Sequence, residues 1–278
     1  MKVIVSGGLG NQMFQYALYL ALKNIGKKVK LDTSLYSFTK MHNGCELEKC
    51  FGINNRKINN SKWHLLKLRA VLKYKPKSIV YSDLLYFDRD VFKTSCKYVN
   101  GNWQSQKYFM QIEKKIRDAF VFKNIDDENK KIAVEMVDSI SIAIHIRRGD
   151  YLGNSIYSGA CNEDYYTKAI KAILNKINPC VNIMFYVFSD DKEFSGKFIE
   201  NFKIPAKLIN INNSEDSYKD MYLMSQCKHN IIANSSFSWW GAWLNNNPEK
   251  IVVAPQKWFG KGSEENYRDI VPNNWIKL

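Results

Sequence analysis

Four short stretches of this chain bring together residue types that can do chemistry. The first is Ile144-His145-Ile146-Arg147-Arg148-Gly149-Asp150-Tyr151, an alternating apolar run that ends in two arginines, a glycine and an aspartate. The planar fork of a guanidinium matches two phosphate oxygens at once, so adjacent arginines at a strand end suit the grip on a departing diphosphate. Arginine supplies only 7 of the 41 basic residues, which makes two in succession hard to read as ordinary surface charge. Asp150 and His145 flank the pair and are the candidates for taking a proton, with Asp150 alternatively a buttress for the arginines or the turn.

The second stretch, Gly7-Gly8-Leu9-Gly10-Asn11-Gln12, follows an apolar strand and opens a helix. Gly8 and Gly10 let the backbone approach a ligand, and the N–H groups of a helix start suit an anion. The amides of Asn11 and Gln12 can orient sugar or phosphate oxygens. Gln12 stands where a dinucleotide fingerprint has its third glycine, and no Gly-Lys-Ser/Thr follows, so neither that fingerprint nor a P-loop is present. A tight strand-to-helix turn without a ligand is the plainer alternative. In the third stretch, Phe188-Ser189-Asp190-Asp191, the carboxylates either cap the next helix or reach a ribose or base edge.

The fourth stretch sets Asn234, Ser235 and Ser236 at a helix start, where hydroxyls and N–H groups can bind phosphate. Phe237 and the tryptophans Trp239, Trp240 and Trp243 follow; these rings either face a base or sugar or form core. Asp88-Arg89-Asp90 has a carboxylate spacing that can hold a divalent metal, but it precedes no glycine turn. The paired arginines would neutralise a diphosphate without one, so no metal or cofactor is expected.

These groups need strand ends to hold them. Short apolar, β-branched runs at 2–6, 28–32, 139–146, 181–189, 229–234 and 250–254 read as strands of a parallel sheet. Helical stretches lie at 11–25, 63–74, 106–118, 163–177, 192–202, 215–226 and 236–245, with Asn162 and Ser214 as helix starts. Alternating strands and helices predict an α/β protein with ligands at the carboxyl ends of its strands. The polar segment 123–138 places a boundary between two lobes, 1–135 and 136–278, with a cleft between them.

The 278 residues suffice for one large core or two smaller ones, and exclude a disulfide-stapled peptide or a disordered tail. A net charge of +14 favours anionic partners. No apolar run approaches the ~20 residues of a spanning helix, and no secretory leader is evident. Six cysteines without a CxxC pair and four scattered histidines argue against zinc, and the chain reads as reduced and cytoplasmic. Residues 56–77 form a basic amphipathic stretch with no acid, which suggests either docking on an anionic membrane or a solvated helix packed on its own lobe. No nucleic-acid-binding signature is present, and no nucleic-acid partner is expected.

In order along the chain, the four stretches resemble the bacterial α-1,2-fucosyltransferases of glycosyltransferase family 11. GGLGNQMFQYA spans Gly7 to Ala17, HxRRGDY spans His145 to Tyr151 and NSSFSWWGAWL spans Asn234 to Leu244. Gly101 to Phe109 resembles a fourth motif of the family, with Gln106 where Glu is usual. After Ser189-Asp190-Asp191 the family's tryptophan is replaced by Phe194. The resemblance implies a GT-B-like fold of two Rossmann-like lobes and inverting transfer of L-fucose. The donor would be GDP-β-L-fucose and the acceptor a galactose-terminated glycan, lipid-linked in some members, at the cytoplasmic face of the inner membrane. It implies an acceptor side in 1–135 and a donor side in 136–278. Arg147 would grip the β-phosphate with Arg148 in support, and Asn11 would place the fucose or diphosphate. Ser235, Ser236 and Phe237 would line phosphate and guanine, and Asp190 or Asp191 would lie near ribose or base.

Overall fold

The computed structural model describes residues 1–37, 42–54, 62–149, 159–177, 182–202, 204–260 and 267–278. The chain forms two compact units, one from 1–124 with 265–270 and the other from 125–264 with 271–278. The first unit contains β1 (Lys2–Ile4), α1 (Leu9–Asn24), β2 (Lys30–Asp32), α2 (Leu47–Phe51), α3 (Lys62–Tyr74), β3 (Val80–Ser82), β4 (Tyr98–Asn100) and α4 (Glu113–Ala119). Its four strands are all parallel, in the order β2-β1-β4-β3.

The second unit runs α5 (Asp127–Val137), β5 (Ile140–Ile146), α6 (Glu163–Leu174), β6 (Ile183–Ser189), α7 (Lys192–Phe202), β7 (Ala206–Ile209), α8 (Tyr218–Gln226), β8 (His229–Ile231), α9 (Ser236–Leu244), β9 (Val252–Ala254) and β10 (Ile276–Lys277). Its six parallel strands are ordered β10-β9-β8-β5-β6-β7. From the far edge this is the doubly wound dinucleotide-fold order, and the winding reverses between β5 and β8.

Both faces of that sheet are covered, which is why its strands are apolar without alternation. Ile142, Ile144 and Ile146 of β5 and Phe185 and Val187 of β6 pack with Tyr165, Ile170 and Ile173 of α6. The intervening residues Ala143, Tyr186 and Phe188 pack with Ile132 and Met136 of α5 and Leu223 and Met224 of α8. All six expected strands form. β3, β4, β7 and β10 were not expected; as in Val80-Tyr81-Ser82 and Ala206-Lys207-Leu208-Ile209, polar residues interrupt the apolar run that marks a strand in sequence.

The boundary falls at 124/125 rather than 135/136. The polar segment expected to divide the lobes contains α5, started by Asp126, whose carboxylate accepts the Asn129 N–H at 2.9 Å. Its buried Ile132, Ala133 and Met136 commit it to the second unit. The single helix expected at 106–118 is two 3-10 turns followed by α4, because Phe109 leaves helical geometry (φ −138°) to bury its ring. Asn162 caps α6 as expected, through a 2.9 Å bond from the Tyr165 N–H. Ser214 does not start the helix expected at 215–226: Asn213 caps a 3-10 turn over Ser214–Asp216, and α8 begins at Tyr218.

Helix α9 ends inside the fold, and its last carbonyls need partners. Lys250 supplies them: its Nζ donates to the carbonyls of Ala242 (2.8 Å), Trp243 (3.2 Å) and Asn245 (2.7 Å). Lys250→Met keeps the alkyl stem and removes those bonds together with the favourable charge at the helix end. It should lower stability by ~1–3 kcal/mol, read as a reduced urea midpoint at unchanged slope.

Candidate functional site

The reversal of winding between β5 and β8 creates the crevice where ligands of such sheets bind. Two adjacent tyrosines of α6 fix its rim. The Tyr165 hydroxyl donates to the Ile232 carbonyl just past β8 (2.6 Å). The Tyr166 hydroxyl donates to the His145 carbonyl of β5 (3.0 Å) and accepts the Arg147 N–H. Both rings are buried, which pushes both phenols well above their usual range and keeps them neutral donors.

β5 and β6 pair in parallel with Ile146 opposite Ser189. Continued past the strand ends, that register sets Arg147 beside Asp190 and Arg148 beside Asp191. Arg147 Nε lies 3.1 Å from Asp190 Oδ2, and Arg148 Nε 3.2 Å from Asp191 Oδ2. Asp190 Oδ1 also accepts the Arg148 backbone N–H at 2.9 Å. A Cβ on Gly149 would come within 3.0 Å of Asp190 Oδ2, so glycine leaves room for that carboxylate. The Arg148 guanidinium stacks on Phe194, its Cζ 3.7 Å from the ring centroid. The aromatic that replaces the expected tryptophan is thus the plate under the second arginine.

The aspartates were expected either to cap the next helix or for one of them to reach a ribose or base. Their carboxylates hold the arginines, and Asp191 also caps α7 by accepting the Phe194 N–H at 3.0 Å. The arginine side chains remain about a third exposed, at 31% and 28%. The pairs therefore orient the guanidinium groups without sealing them from a ligand.

Across the crevice, β8 leads into the start of α9. Ser235 is the cap, its Oγ accepting the Phe237 N–H at 3.3 Å. Asn234 is buried and its Nδ2 donates to the Trp258 carbonyl at 3.0 Å, so its amide braces the loop. Ser236 and Phe237 are half-buried at the rim. Trp240, expected to offer a face to a base or sugar, is fully buried and packs edge-on against Trp239 and Trp243 at 5.0 and 5.3 Å. Its place on the inner face of α9 makes it core.

His145 sits beneath the arginines with 6% of its surface exposed, its ring 5.9 Å from that of Phe237. Burial, reinforced by the nearby Arg147 charge, pushes its pKa down to about 3. The ring is therefore neutral near neutrality and a weak proton acceptor. Asp150 lies outside the described residues.

In the first unit the winding reverses between β1 and β4, and the loops after those strands meet there. Gln104 Nε2 donates to Asn11 Oδ1 at 2.7 Å, and Gln15 Nε2 donates to the Gly101 carbonyl at 2.9 Å. Gly7 has φ +76°, and a Cβ there would lie 2.9 Å from Asn11 Nδ2. Gln12 is fully buried and ties the glycine loop to 43–46, donating to the Gly7 and Gly44 carbonyls and accepting the Glu46 N–H. Gly8 caps α1 with its carbonyl accepting the Asn11 and Gln12 N–H groups, and Gly10 is buried in the first turn. Asn11 is thus the partly exposed amide of the loop. The site residues Gly8, Gly10 and Asn11 belong to this unit and the arginine cluster to the other.

Gln104 was not singled out in the sequence, although its segment was. The signal is its place four residues past β4, opposite the glycine loop. Asp88 and Asp90 are engaged locally: Asp88 caps a 3-10 turn through the Asp90 N–H and contacts the Tyr81 hydroxyl, and Asp90 pairs with Lys93 at 2.9 Å.

A doubly wound parallel sheet with braced arginines at its reversal point, beside a helix N-terminus, is an α/β arrangement with the chemistry to take a phosphate-bearing ligand. The family model described as Glycosyl transferase family 11 matches residues 1–278, and the chain belongs to that family. It is 36% identical to an α-1,2-colitosyltransferase of Escherichia coli, over 100% of this chain and 99% of that protein. It is 33% identical to the O-antigen biosynthesis glycosyltransferase WbnK of Escherichia coli, over the full length of both. Human galactoside α-(1,2)-fucosyltransferase 1 is 23% identical over 87% of this chain and 64% of its own. Among solved structures, the fucosyltransferase NodZ from Bradyrhizobium aligns with TM-score 0.50 at 12% identity, covering 86% of this chain and 91% of its own. The protein is a glycosyltransferase with the GT-B-like α/β fold expected from its motifs.

The depressed His145 pKa couples to stability. Below its usual value of 6.5 the unfolded chain binds a proton that the folded imidazole refuses until about pH 3. Stability contributed by the neutral ring is therefore complete above 6.5 and lost progressively as pH falls towards 3. Urea denaturation of His145→Gln across that range should show a pH slope smaller than wild type by one proton; an identical slope would refute the buried neutral imidazole.

Proposed function

We propose that this protein transfers L-fucose from GDP-β-L-fucose to the 2-hydroxyl of a terminal β-galactoside, in a glycan or surface-polysaccharide precursor, with inversion at the anomeric carbon. The observation that carries the reading is the pair of braced arginines at the reversal point of the second sheet, opposite the start of α9. That arrangement fits a leaving diphosphate. Support for the linkage comes from relatives whose names share it, the α-1,2-colitosyltransferase and the galactoside α-(1,2)-fucosyltransferase.

In the proposed reaction the acceptor O2 forms a bond to the fucose anomeric carbon as the bond from that carbon to the β-phosphate oxygen breaks. The electron pair leaves with GDP, and the acceptor proton passes to a base late in the step. Arg147 takes the developing charge on the β-phosphate and Arg148 supports it, both pre-aimed by Asp190 and Asp191, so little reorganisation is needed as charge builds. The Ser236 backbone at the start of α9 adds an N–H donor, the Ser235 N–H being held by the Ala233 carbonyl at 2.7 Å, and Phe237 offers its half-buried ring to the guanine. Asn11 is proposed to orient the fucose or diphosphate with an amide whose Oδ1 is already taken by Gln104, leaving Nδ2 to donate. Asp150, two residues past Arg148, is the proposed proton acceptor. No metal is required by this scheme.

A second reading, with GDP-colitose as donor, is favoured by the 36% identity to a colitosyltransferase across both chains. Colitose is fucose without its 3-hydroxyl, so the two readings differ in whether the site binds that hydroxyl. A site that hydrogen-bonds it rejects the deoxy analogue by roughly 10⁴-fold, whereas a site that ignores it discriminates little.

Arg147→Ala should fold normally and lose about a hundredfold or more in kcat/KM, the scale for one charge-stabilising contact. Arg147→Lys should restore little, because a point charge does not replace the fork. Asp190→Asn should lower kcat with a smaller effect on stability. Near-wild-type turnover of Arg147→Ala would sink the phosphate grip. Parallel kcat/KM values for GDP-fucose and GDP-colitose on a galactoside, in EDTA, with product linkage read by methylation analysis, decide the donor; a strict metal requirement would overturn the scheme.

A further inference from the structure

We propose that the outer face of α3 docks this protein on an anionic lipid bilayer. The helix has two opposite faces of different chemistry. Leu68 and Val71 are buried with Ile4, Leu35, Val80 and Tyr98 in the core of the first unit. On the same side, His64 Nε2 lies 3.1 Å from the fully buried Asp32 carboxylate, which Lys2 also pairs at 3.2 Å. Those contacts mount the helix firmly and fix which side faces out.

The outward side carries Trp63, Leu66, Ala70 and Tyr74 at spacings of three and four residues, an apolar stripe along about 17 Å of helix. Trp63 is 83% exposed, Tyr74 72% and Leu66 56%. Nothing in the core requires large apolar groups there, and solvent exposure of such a stripe marks an interaction surface. Lys67, Lys73 and Arg69 are exposed around it, and Lys75 and Lys77 follow, while residues 62–77 contain no acid. The preceding basic residues of the stretch, at 56–61, lie outside the described residues.

Aromatic and leucine side chains ringed by basic groups are the pattern of a helix lying in a membrane interface. The rings enter the headgroup region while the lysine stems extend and place their charges at lipid phosphates. The bilayer's negative surface potential complements the all-basic rim within a Debye length, about 8 Å at physiological salt. A second copy of this chain is a poor occupant, because a two-fold interface would set this acid-free face against itself and oppose like charges. A nucleic-acid backbone would match the charges and leave Leu66 without an apolar partner. The inference is independent of the donor site and of which sugar it takes.

The test uses the full chain and vesicles of phosphatidylcholine alone or doped with phosphatidylglycerol. Six of the seven tryptophans, Trp103, Trp239, Trp240, Trp243, Trp258 and Trp275, are buried, so Trp63 is the one placed to report contact with lipid. Wild type should co-sediment with phosphatidylglycerol vesicles and not with phosphatidylcholine alone, release as salt rises, and show quenching of Trp63 by brominated acyl chains. Trp63→Ser with Leu66→Ser, and separately Lys67→Glu with Lys73→Glu, should each reduce the bound fraction about tenfold or more. Both variants lie on exposed positions and should keep wild-type denaturation midpoints and wild-type turnover of a soluble galactoside. Failure to bind phosphatidylglycerol vesicles at low salt would overturn the proposal, as would binding that survives both variants. A wild-type dimer that Trp63→Ser dissociates would assign the face to a second copy and overturn it as well. Retention of RNA at physiological salt that exceeds retention of vesicles would do the same.

Discussion

Two guanidinium groups on consecutive residues repel each other, and a fold that sets them side by side must supply opposite charge at the same spacing. Here the supply comes from the parallel pairing of β5 with β6, in which Ile146 lies opposite Ser189. One step further along both strands puts Asp190 beside Arg147 and Asp191 beside Arg148. A slip of one residue would break both pairs and turn every apolar side chain of the strand to the wrong face of the sheet. The core and the site are therefore fixed by a single register. The exposed fraction of each arginine keeps the ion pairs weak contributors to stability, so their role is orientation rather than strength.

The other half of the crevice depends on a helix that is mostly core. α9 carries its serines at the amino end and its tryptophans inside, and Trp239 packs not only on Trp240 and Trp243 but on Trp275 from the end of the chain. Large rings on one helix face set where its first turn lies, and the first turn is what faces β5. Tyr165 and Tyr166 extend the same logic from the opposite layer, since each hydroxyl holds a backbone carbonyl at a strand end. Buried phenols do this well because the low-dielectric interior keeps them neutral donors. The first unit repeats the device in amide form, with Gln12 and Gln15 spent on backbone groups of the loops that present Asn11.

Seen this way, the acidic pair after β6 and the aromatic after it form one assembly with the arginines. Phe194 stands where relatives of this type were expected to carry tryptophan, and its ring still underlies Arg148. A flat aromatic face is what a guanidinium needs below it, and phenylalanine supplies that with less area and a weaker quadrupole than tryptophan. The exposed stripe of α3 belongs to a different order of constraint. Its inner face is dictated by the first unit's core, and its outer face is left to whatever surface the protein meets.

The sequence by itself determined the alternation of strand and helix, the two-unit α/β organisation, the family, and the segments that hold the site. Those are properties of local pattern: β-branched runs, glycine loops after strands, and motifs read in order along the chain. It did not determine what the site's side chains do to one another. Asp190 and Asp191 looked equally suited to a ribose or a cap, Trp240 to a base or a core, and His145 to a base or a strand. Only tertiary structure decided these, because each depends on a neighbour far away in sequence. The aspartates depend on register with a strand more than 40 residues earlier, Trp240 on which side of α9 meets the sheet, and His145 on the burial that favours its neutral form. The helix at Asp127–Val137 was hidden for the same reason: its charged outer face dominates its composition, and its three buried apolar residues gain meaning only against the sheet.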